Sequence, residues 1–199
     1  MSKMEKVYIH PKAIVDSKNI GTGTRIWAFT HILKGANIGC NCNVGDHCYI
    51  ENDVKIANEV VIKNGVSLWE GVHIEDRVFV GPNVSFTNDL RPRSKAFRKK
   101  YDITLVKEGA SIGANSTLIS PLTVGRFALI GGGAVVTNDV PDFGLVYGNP
   151  AHLVAFVCRC AKKLPIRLEQ NGIITCSCGL SYQKRRLILK EILPVKKNK

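Results

Sequence analysis

The chain has 199 residues, of which 45% are hydrophobic, and its formal net charge is +12. This length accommodates one domain with a small additional unit, and the hydrophobic content is that of a folded soluble protein. No stretch approaches the roughly 18 consecutive apolar residues of a membrane-spanning helix, and residues 1–6 lack the apolar core of a secretory signal. We therefore expect a cytoplasmic protein without a membrane span.

An aliphatic residue recurs every six positions through most of the chain. Residues 8–19 read as an incomplete first turn, and the register then runs unbroken from Ile20 to Phe86. A period of six fits neither the 3.6 residues of a helix nor the alternation of an ordinary strand. It fits a coil with three short strands per turn, so that eighteen residues complete one turn.

The register breaks at residues 92–105, which are polar, basic and aromatic, and it resumes from Val106 to Val136. This composition predicts a loop that leaves the coil and returns to it. Asp139-Val140-Pro141 ends the repeat, and the chain leaves the coil over residues 145–156. The expected organisation is a coil domain over 1–156, with the loop 92–105, and a small basic, cysteine-rich extension over 157–199.

One column of polar side chains follows from the repeat. Residues eighteen positions apart stack on adjacent turns, about 4.8 Å apart. Lys34, Asn52, Glu70 and Asn88 share the third place of their hexads, and this column ends where the loop leaves the coil. The column is a candidate ledge for binding an amine. The alternative is structural, because coil corners accept polar residues and amide ladders stabilise stacked turns.

The five histidines are candidates for a general base. His31, His47 and His73 lie inside the repeat, whereas His10 and His152 lie outside its main block. Each of them is equally consistent with an ordinary exposed residue.

The chain beyond the coil is strongly basic. From Cys158 to Lys199 there are eleven Lys or Arg and two Glu, which gives this segment a charge of +9. Such a segment could attract nucleic acid, a membrane surface or a polyanionic small molecule, or it could be a solvated surface.

The seven cysteines are not expected to form disulfides, because nothing indicates secretion. Cys42 and Cys48 occupy a hexad place that elsewhere holds valine, so they are expected to be small buried side chains. The pattern Cys158-x-Cys160, fifteen residues, Cys176-x-Cys178 suits a structural tetrahedral Zn²⁺. Zinc sites usually space each pair by two residues, so four unliganded thiols in a hairpin are the alternative.

The hexads of the form Ile/Val-Gly-x-x-x-x resemble those of the hexapeptide acyltransferases. That resemblance implies an all-β fold, a left-handed parallel β-helix. Gly179 and Tyr182, which follow the second cysteine pair, resemble a zinc-ribbon hairpin, so the small C-terminal extension is expected to be zinc-ribbon-like. The segment 130–137, followed by Asp139-Val140-Pro141 and Gly148-Asn149-Pro150-Ala151, is typical of the region where that superfamily binds coenzyme A. The residues that the resemblance implies for acetyl-CoA binding are Ala114, Gly131, Gly132, Thr137, Asn149 and Pro150.

A narrower resemblance covers about residues 20–151. Segments 23–32, 46–54, 68–71 and 81–89 are similar to the nucleotide-amino-sugar N-acetyltransferases, and closest to the enzymes that acetylate dTDP-3-amino-3,6-dideoxyhexoses. This implies acetyl transfer from acetyl-CoA to the sugar 3-amino group, in surface polysaccharide (O-antigen) or glycan biosynthesis, by a homotrimer with sites between subunits. The related branch that acts on a UDP-linked 3-amino glucuronate is the alternative, although Ala28 stands where that branch often has His.

The narrower resemblance also implies roles for individual residues. Asn88, in Phe-Thr-Asn, and Glu70, in Trp-Glu-Gly, are the implied catalytic residues. The remaining residues expected to bind the substrate are Asn52, Lys34, His31, His47, Trp69, Arg91 and Arg93. The two arginines could meet the nucleotide phosphates, or they could belong to a solvated loop.

Two other classes fit parts of the sequence. The γ-type carbonic anhydrases use the same coil but need a closely spaced His pair, and His31, His47 and His73 are too far apart for that pattern. A nucleic-acid-binding module could use the basic extension and would bind in a salt-sensitive way. It would leave the Phe-Thr-Asn segment unexplained, so no nucleic-acid partner is expected.

Overall fold

The computed structural model describes residues 6–96 and 98–192. The predicted domain ranges 1–156 and 157–199 therefore extend beyond the described residues at both ends. The prediction that residues 1–6 contain no signal segment also concerns residues that lie mostly outside the described ones. All regular elements of the described residues are β-strands. No helix long and apolar enough to cross a membrane occurs among these residues.

Twenty short strands build the coil. They are β1 (Tyr8–Ile9), β2 (Ile14–Val15), β3 (Asn19–Ile20), β4 (Arg25–Ile26), β5 (His31–Ile32), β6 (Asn37–Ile38), β7 (Asn43–Val44), β8 (Tyr49–Ile50), β9 (Lys55–Ile56), β10 (Val61–Ile62), β11 (Ser67–Leu68), β12 (Val72–Ile74), β13 (Phe79–Val80), β14 (Ser85–Phe86), β15 (Thr104–Val106), β16 (Ser111–Ile112), β17 (Thr117–Leu118), β18 (Leu122–Val124), β19 (Leu129–Ile130) and β20 (Val135–Val136).

Five longer strands follow the coil. They are β21 (Gly144–Gly148), β22 (Ala151–Phe156), β23 (Gly172–Thr175), β24 (Ser181–Arg185) and β25 (Ile188–Ile192).

Every third strand of the coil joins the same parallel sheet. Sheet I has the order β1-β4-β7-β10-β13-β16-β19, sheet II β2-β5-β8-β11-β14-β17-β20, and sheet III β18-β15-β12-β9-β6-β3. Most partners are eighteen residues apart, as Ile26 pairs with Val44 and Ile32 with Ile50, but the spacing is 17 in the first turn and 32 across the loop. The prediction of an all-β parallel β-helix is confirmed. We name its edges the I–II, II–III and III–I corners.

The interior of the coil is a stack of aliphatic side chains. Ile32, Ile50 and Leu68 are fully buried on successive turns, and Cys42 and Cys48 are buried among the valines. Burial raises the pKa of both of these thiols. They are the small core residues that the hexad places predicted.

The corners turn through left-handed backbone at the fourth place of the hexad. Asn41, His47, Asp53 and Glu59 have φ between 56° and 60°, six residues apart. The second place is tight where it is glycine, because a Cβ on Gly39 would lie 2.6 Å from the backbone of the next turn. The chain therefore bends sharply enough for each turn to stack on the last one.

The loop leaves the coil without changing its phase. Strand β14 ends at Phe86, and β15 begins at Thr104 and pairs with β12, His73 opposite Leu105. Thr104 and Leu105 are thus strand residues, although the sequence pattern placed them in the loop 92–105. The returning chain packs on Gly71, where a Cβ would lie 2.4 Å from the Asp102 carbonyl oxygen.

The chain after the coil forms a hairpin and then a separate small sheet. Strands β21 and β22 are antiparallel and extend sheet I, whereas β23, β24 and β25 form a three-stranded antiparallel sheet. Phe156, Leu164 and Tyr182 are fully buried in a second hydrophobic core that also includes Phe143.

Candidate active site

The predicted polar column lies along the II–III corner, at the base of the loop. The Asn88 side-chain amide (Nδ2) donates to the Glu70 carbonyl oxygen at 3.3 Å, so these two residues are neighbours as predicted. The Asn52 Oδ1 accepts from the Gly35 backbone N–H at 2.9 Å and thus fastens the turn below. Lys34 is exposed at the far end of the column.

A second carboxylate, which the sequence did not single out, lies beside Glu70. The Glu51 Oε2 accepts from the Glu70 backbone N–H at 2.9 Å. Glu51 occupies the second hexad place of this corner, where Trp69 and Thr87 follow on later turns. Two half-buried acidic residues therefore lie together at the corner, and their oxygens can accept hydrogen bonds from an amine.

An aromatic ladder covers the outer face of sheet II next to this corner. Trp69 packs on Tyr49 with ring centroids 5.6 Å apart, and Tyr49 meets the edge of His31 at 5.7 Å. The His31 Nε2 lies 3.3 Å from the Asp16 carboxylate. The structure thus places His31 and Trp69, both predicted to bind substrate, on one surface, and it adds Tyr49 to them.

His47 lies elsewhere. It occupies the left-handed position of the I–II corner and stacks on Phe29 at 4.9 Å. The structure therefore does not bring His47 to Glu70 and Asn88.

His73 is also outside this corner. It projects from sheet III between Lys55 and Leu105, and its buried Nε2 has no hydrogen-bond partner among the described residues. Burial, together with the Lys55 charge, lowers the pKa of His73. A neutral imidazole on a different face is not placed to act on a substrate at the II–III corner.

Most residues that the resemblance implies for acetyl-CoA lie near the I–II corner. A Cβ on Gly132 would lie 3.3 Å from the Ala114 carbonyl oxygen, and one on Gly131 would lie 2.8 Å from the Tyr147 Cβ. Tyr147 leads into the turn Asn149–Pro150 between β21 and β22. Open space surrounds the Cβ position of Gly133, so the backbone of this corner is accessible to a ligand.

Thr137 is separated from that group. It follows β20 at the II–III corner and lies in the same column as Thr87 and Ile119. Two backbone hydrogen bonds establish this column: the Thr87 N–H donates to the Leu118 carbonyl, and the Ile119 N–H donates to the Val136 carbonyl. The residues implied for acetyl-CoA therefore flank sheet II on both edges.

The base of the loop is tied by an ion pair. The Asp89 carboxylate pairs with the Arg98 guanidinium at 2.7 Å and accepts the Arg91 backbone N–H at 2.8 Å. These contacts, the first of them above all, lower the pKa of Asp89. Arg91 and Arg93 are exposed on the tied loop, and Arg93 donates to the Pro92 carbonyl at 2.9 Å.

The four cysteines of the extension converge. The Sγ atoms of Cys158, Cys160, Cys176 and Cys178 all lie within 4.8 Å of one another, and all four are free thiols. This cluster is in the extension and is not part of the II–III corner.

No family model matches the sequence. Among curated proteins, the chain is 50% identical over 192 residues to the dTDP-3-amino-3,6-dideoxy-alpha-D-galactopyranose 3-N-acetyltransferase of Aneurinibacillus thermoaerophilus, covering 96% of this chain and 98% of the relative. The bifunctional protein GlmU of Thermotoga maritima is 45% identical over 56 residues, which are 28% of this chain and 13% of that protein.

Solved structures also match this chain. The acetyltransferase domain of PglB from Neisseria gonorrhoeae FA1090 matches at 25% identity and TM-score 0.43, over 74% of this chain and 57% of that one. A point mutant of AntD, an N-acyltransferase from Bacillus cereus, matches at 18% identity and TM-score 0.46, over 77% of this chain and 82% of that one. The identity along nearly the whole of both sequences decides the assignment: this chain belongs to the family of the dTDP-3-amino-3,6-dideoxy-alpha-D-galactopyranose 3-N-acetyltransferase of A. thermoaerophilus.

Proposed function

We propose that this protein transfers the acetyl group of acetyl-CoA to the 3-amino group of a dTDP-3-amino-3,6-dideoxyhexose, for the synthesis of a surface polysaccharide or glycan. The observation that carries the proposal is the 50% identity to the A. thermoaerophilus enzyme over 96% of this chain. The neighbouring positions of Glu70 and Asn88 at the base of the loop support it.

The II–III corner supplies groups that suit an amine nucleophile. The Asn88 Nδ2 is occupied by the Glu70 carbonyl, so its Oδ1 is directed away from that contact and can accept a hydrogen bond from the amine. The Glu70 and Glu51 carboxylates would hold the amine and orient it toward the thioester. Alignment of this kind converts binding into a large share of the rate enhancement.

No strong protein base is needed at this site. A sugar amine is partly unprotonated near neutral pH and attacks the thioester carbonyl, after which the C–S bond breaks. The departing coenzyme A thiolate takes the surplus proton of the nitrogen. A backbone N–H of a coil corner would stabilise the intermediate oxyanion.

The two ligands would approach sheet II from opposite edges. The glycine corner, where Gly132 and Gly133 are exposed, offers accessible backbone to acetyl-CoA together with the turn Asn149–Pro150. Arg91 and Arg93, exposed on the tied loop, would meet the nucleotide diphosphate.

The separation of these two groups within one chain supports an active site shared between subunits. The glycine corner is I–II, whereas Glu70 and Asn88 lie at II–III, on the other edge of the same sheet. A neighbouring copy could set its I–II corner against this II–III corner. A homotrimer would repeat the arrangement three times. Trp27 and Phe29, which are exposed on the I–II corner of the single chain, would be buried in the subunit interface.

The proposal is tested by acetylation assays with acetyl-CoA and nucleotide-linked 3-amino sugars, with products detected by mass spectrometry. The panel contains the dTDP-3-amino-3,6-dideoxyhexoses of galacto and gluco configuration and a UDP-linked 3-amino glucuronate. We expect acetylation of a dTDP sugar and little of the UDP uronate. Faster turnover of the uronate, or no turnover of any member, would contradict the proposal.

A further inference from the structure

We propose that Cys158, Cys160, Cys176 and Cys178 bind one structural Zn²⁺ that fastens the C-terminal extension to the end of the coil. These four cysteines lie outside the II–III corner, and a metal bound there would take no part in acetyl transfer.

The sulfur positions match a tetrahedral site. Four sulfurs bound to zinc at about 2.3 Å lie about 3.8 Å from one another. In the structure, Cys158 and Cys178 are separated by 3.4 Å between Sγ atoms, Cys160 and Cys176 by 3.7 Å, and all four atoms lie within 4.8 Å. An all-sulfur tetrahedron selects zinc or iron among the common metals.

The two Cys-x-Cys segments have the same backbone turn. The Ala161 N–H donates to the Cys158 carbonyl at 2.8 Å, and the Gly179 N–H donates to the Cys176 carbonyl at 2.9 Å. Ala161 and Gly179 both have left-handed backbone, with φ of 64° and 94°. A residue such as alanine rarely adopts this conformation. Each turn therefore presents its two sulfurs in the same way, despite a spacing one residue shorter than usual.

Neighbouring groups suit a metal bound by four thiolates. The Tyr182 hydroxyl lies 3.1 Å from the Cys158 Sγ and also accepts the Arg159 backbone N–H at 3.1 Å. Outer partners of this kind fix the orientation of metal ligands. Four thiolates around Zn²⁺ carry a net charge of −2, and Arg159 and Lys162 lie within or beside the first turn.

The small core of the extension gives the metal a structural purpose. A folded unit of fewer than roughly 40 residues usually needs a metal, disulfides or a partner for stability, and the segment 157–192 is shorter than this limit. Tyr182 packs against Phe143 with ring centroids 5.3 Å apart, and Phe143 stacks on Phe127 of the coil at 5.5 Å. The cysteine cluster, through Tyr182, is therefore linked to the III–I corner.

The test is elemental analysis of the full-length protein purified under reducing conditions. We expect about one zinc per chain, and replacement by Co²⁺ should give the visible absorption of tetrahedral thiolate coordination. The double variant Cys160→Ser/Cys178→Ser should lose the metal, because it removes one ligand from each turn. Both side chains are exposed, so this change removes little packing.

Cys40→Ser is the matched control, because Cys40 is a free, half-buried thiol at the III–I corner, outside the cluster. It should retain the zinc. Limited proteolysis separates a structural role from incidental binding: the double variant should be cut faster within 157–192 while the coil stays intact.

Three results would overturn the proposal. They are a reduced protein that stays free of zinc after dialysis against Zn²⁺, bound iron in place of zinc, and a mass showing that the four cysteines form two disulfides.

Discussion

At the scale of single residues, Asn88 carries the sharpest prediction. Asn88→Ala should lower kcat/KM about 100-fold, because the amine would lose the group that positions it. The measurement is steady-state acetylation of the dTDP amino sugar. Retained turnover would exclude Asn88 from the reaction.

Asn58→Ala is the matched control for that experiment. The Asn58 Oδ1 accepts the Cys40 backbone N–H at 2.9 Å at the III–I corner, so this asparagine belongs to a structural ladder. Its removal should lower thermal stability slightly and leave kcat/KM within about twofold. An equal loss of activity in both variants would mean that the effect of Asn88→Ala is structural.

Residue positions were predictable where the period alone determines them. Counting in eighteens places Glu70 beside Asn88, and the structure shows that contact. The same count places His47 above Phe29, so the sequence alone assigns His47 to a different corner of the chain from Glu70 and Asn88. The contact between Glu51 and Glu70 was not predicted, because it depends on the side-chain conformation at the second hexad place. The spacing of the repeat does not reveal that conformation.

At the scale of elements, close stacking of the corners makes some glycines irreplaceable. Gly39→Ala should destabilise the protein by about 3 kcal/mol or more, since the added Cβ would lie 2.6 Å from the Ala57 backbone. Gly133→Ala, with a φ of 70° but open space around its Cβ, should cost only about 1–2 kcal/mol. Thermal unfolding of both variants checks the order, and similar losses would refute the packing explanation.

The tied loop gives a second prediction at this scale. Asp89→Asn should speed tryptic cleavage after Lys99 and Lys100 severalfold at neutral pH, because the ion pair with Arg98 is lost. Asp53→Asn, which breaks the exposed Asp53–Lys55 pair on an earlier turn of the II–III corner, where no loop is inserted, should leave that cleavage unchanged. Equal cleavage of the wild type and Asp89→Asn would show that the ion pair does not hold the loop.

The pH dependence of this tie follows from the lowered pKa of Asp89. A carboxylate whose pKa is lower in the folded chain stabilises it above its ordinary pKa of about 3.9, and the contribution disappears as the pH falls through the folded value. Hydrogen exchange of the loop amides should therefore be constant from pH 7 to about 5, after correction for intrinsic rates, and should show loss of protection below about 4. Loss of protection already near pH 6 would point to a different group.

The limits of the loop illustrate why element boundaries are harder to predict than the element type. Thr104 has a polar hydroxyl, and the aliphatic register resumes only at Val106, so the sequence pattern favoured a loop through 105. Pairing of β15 with β12 decided otherwise, because Thr104 and Leu105 continue the ladder of sheet III opposite Val72 and His73.

At the scale of the whole molecule, the predicted assembly has a direct measurement. Light scattering coupled to size-exclusion chromatography should give three times the 21.9 kDa chain mass. A trimer should also tolerate changes on sheet III better than charge substitutions at Trp27 or Phe29, which are exposed in the single chain. A monomer with full activity would exclude a site shared between subunits.

The coil's unchanged phase across the loop has an evolutionary consequence. Strands flanking the loop pair 32 residues apart, as Ser85 does with Thr117, whereas successive turns from β3 to β12 pair eighteen apart. Each turn contacts only the turns next to it, as in other solenoids, so the inserted residues do not disturb the packing on either side. The loop at the base of the proposed active site can therefore be lengthened, shortened or exchanged between relatives while the scaffold stays the same, and specificity can diversify separately from stability.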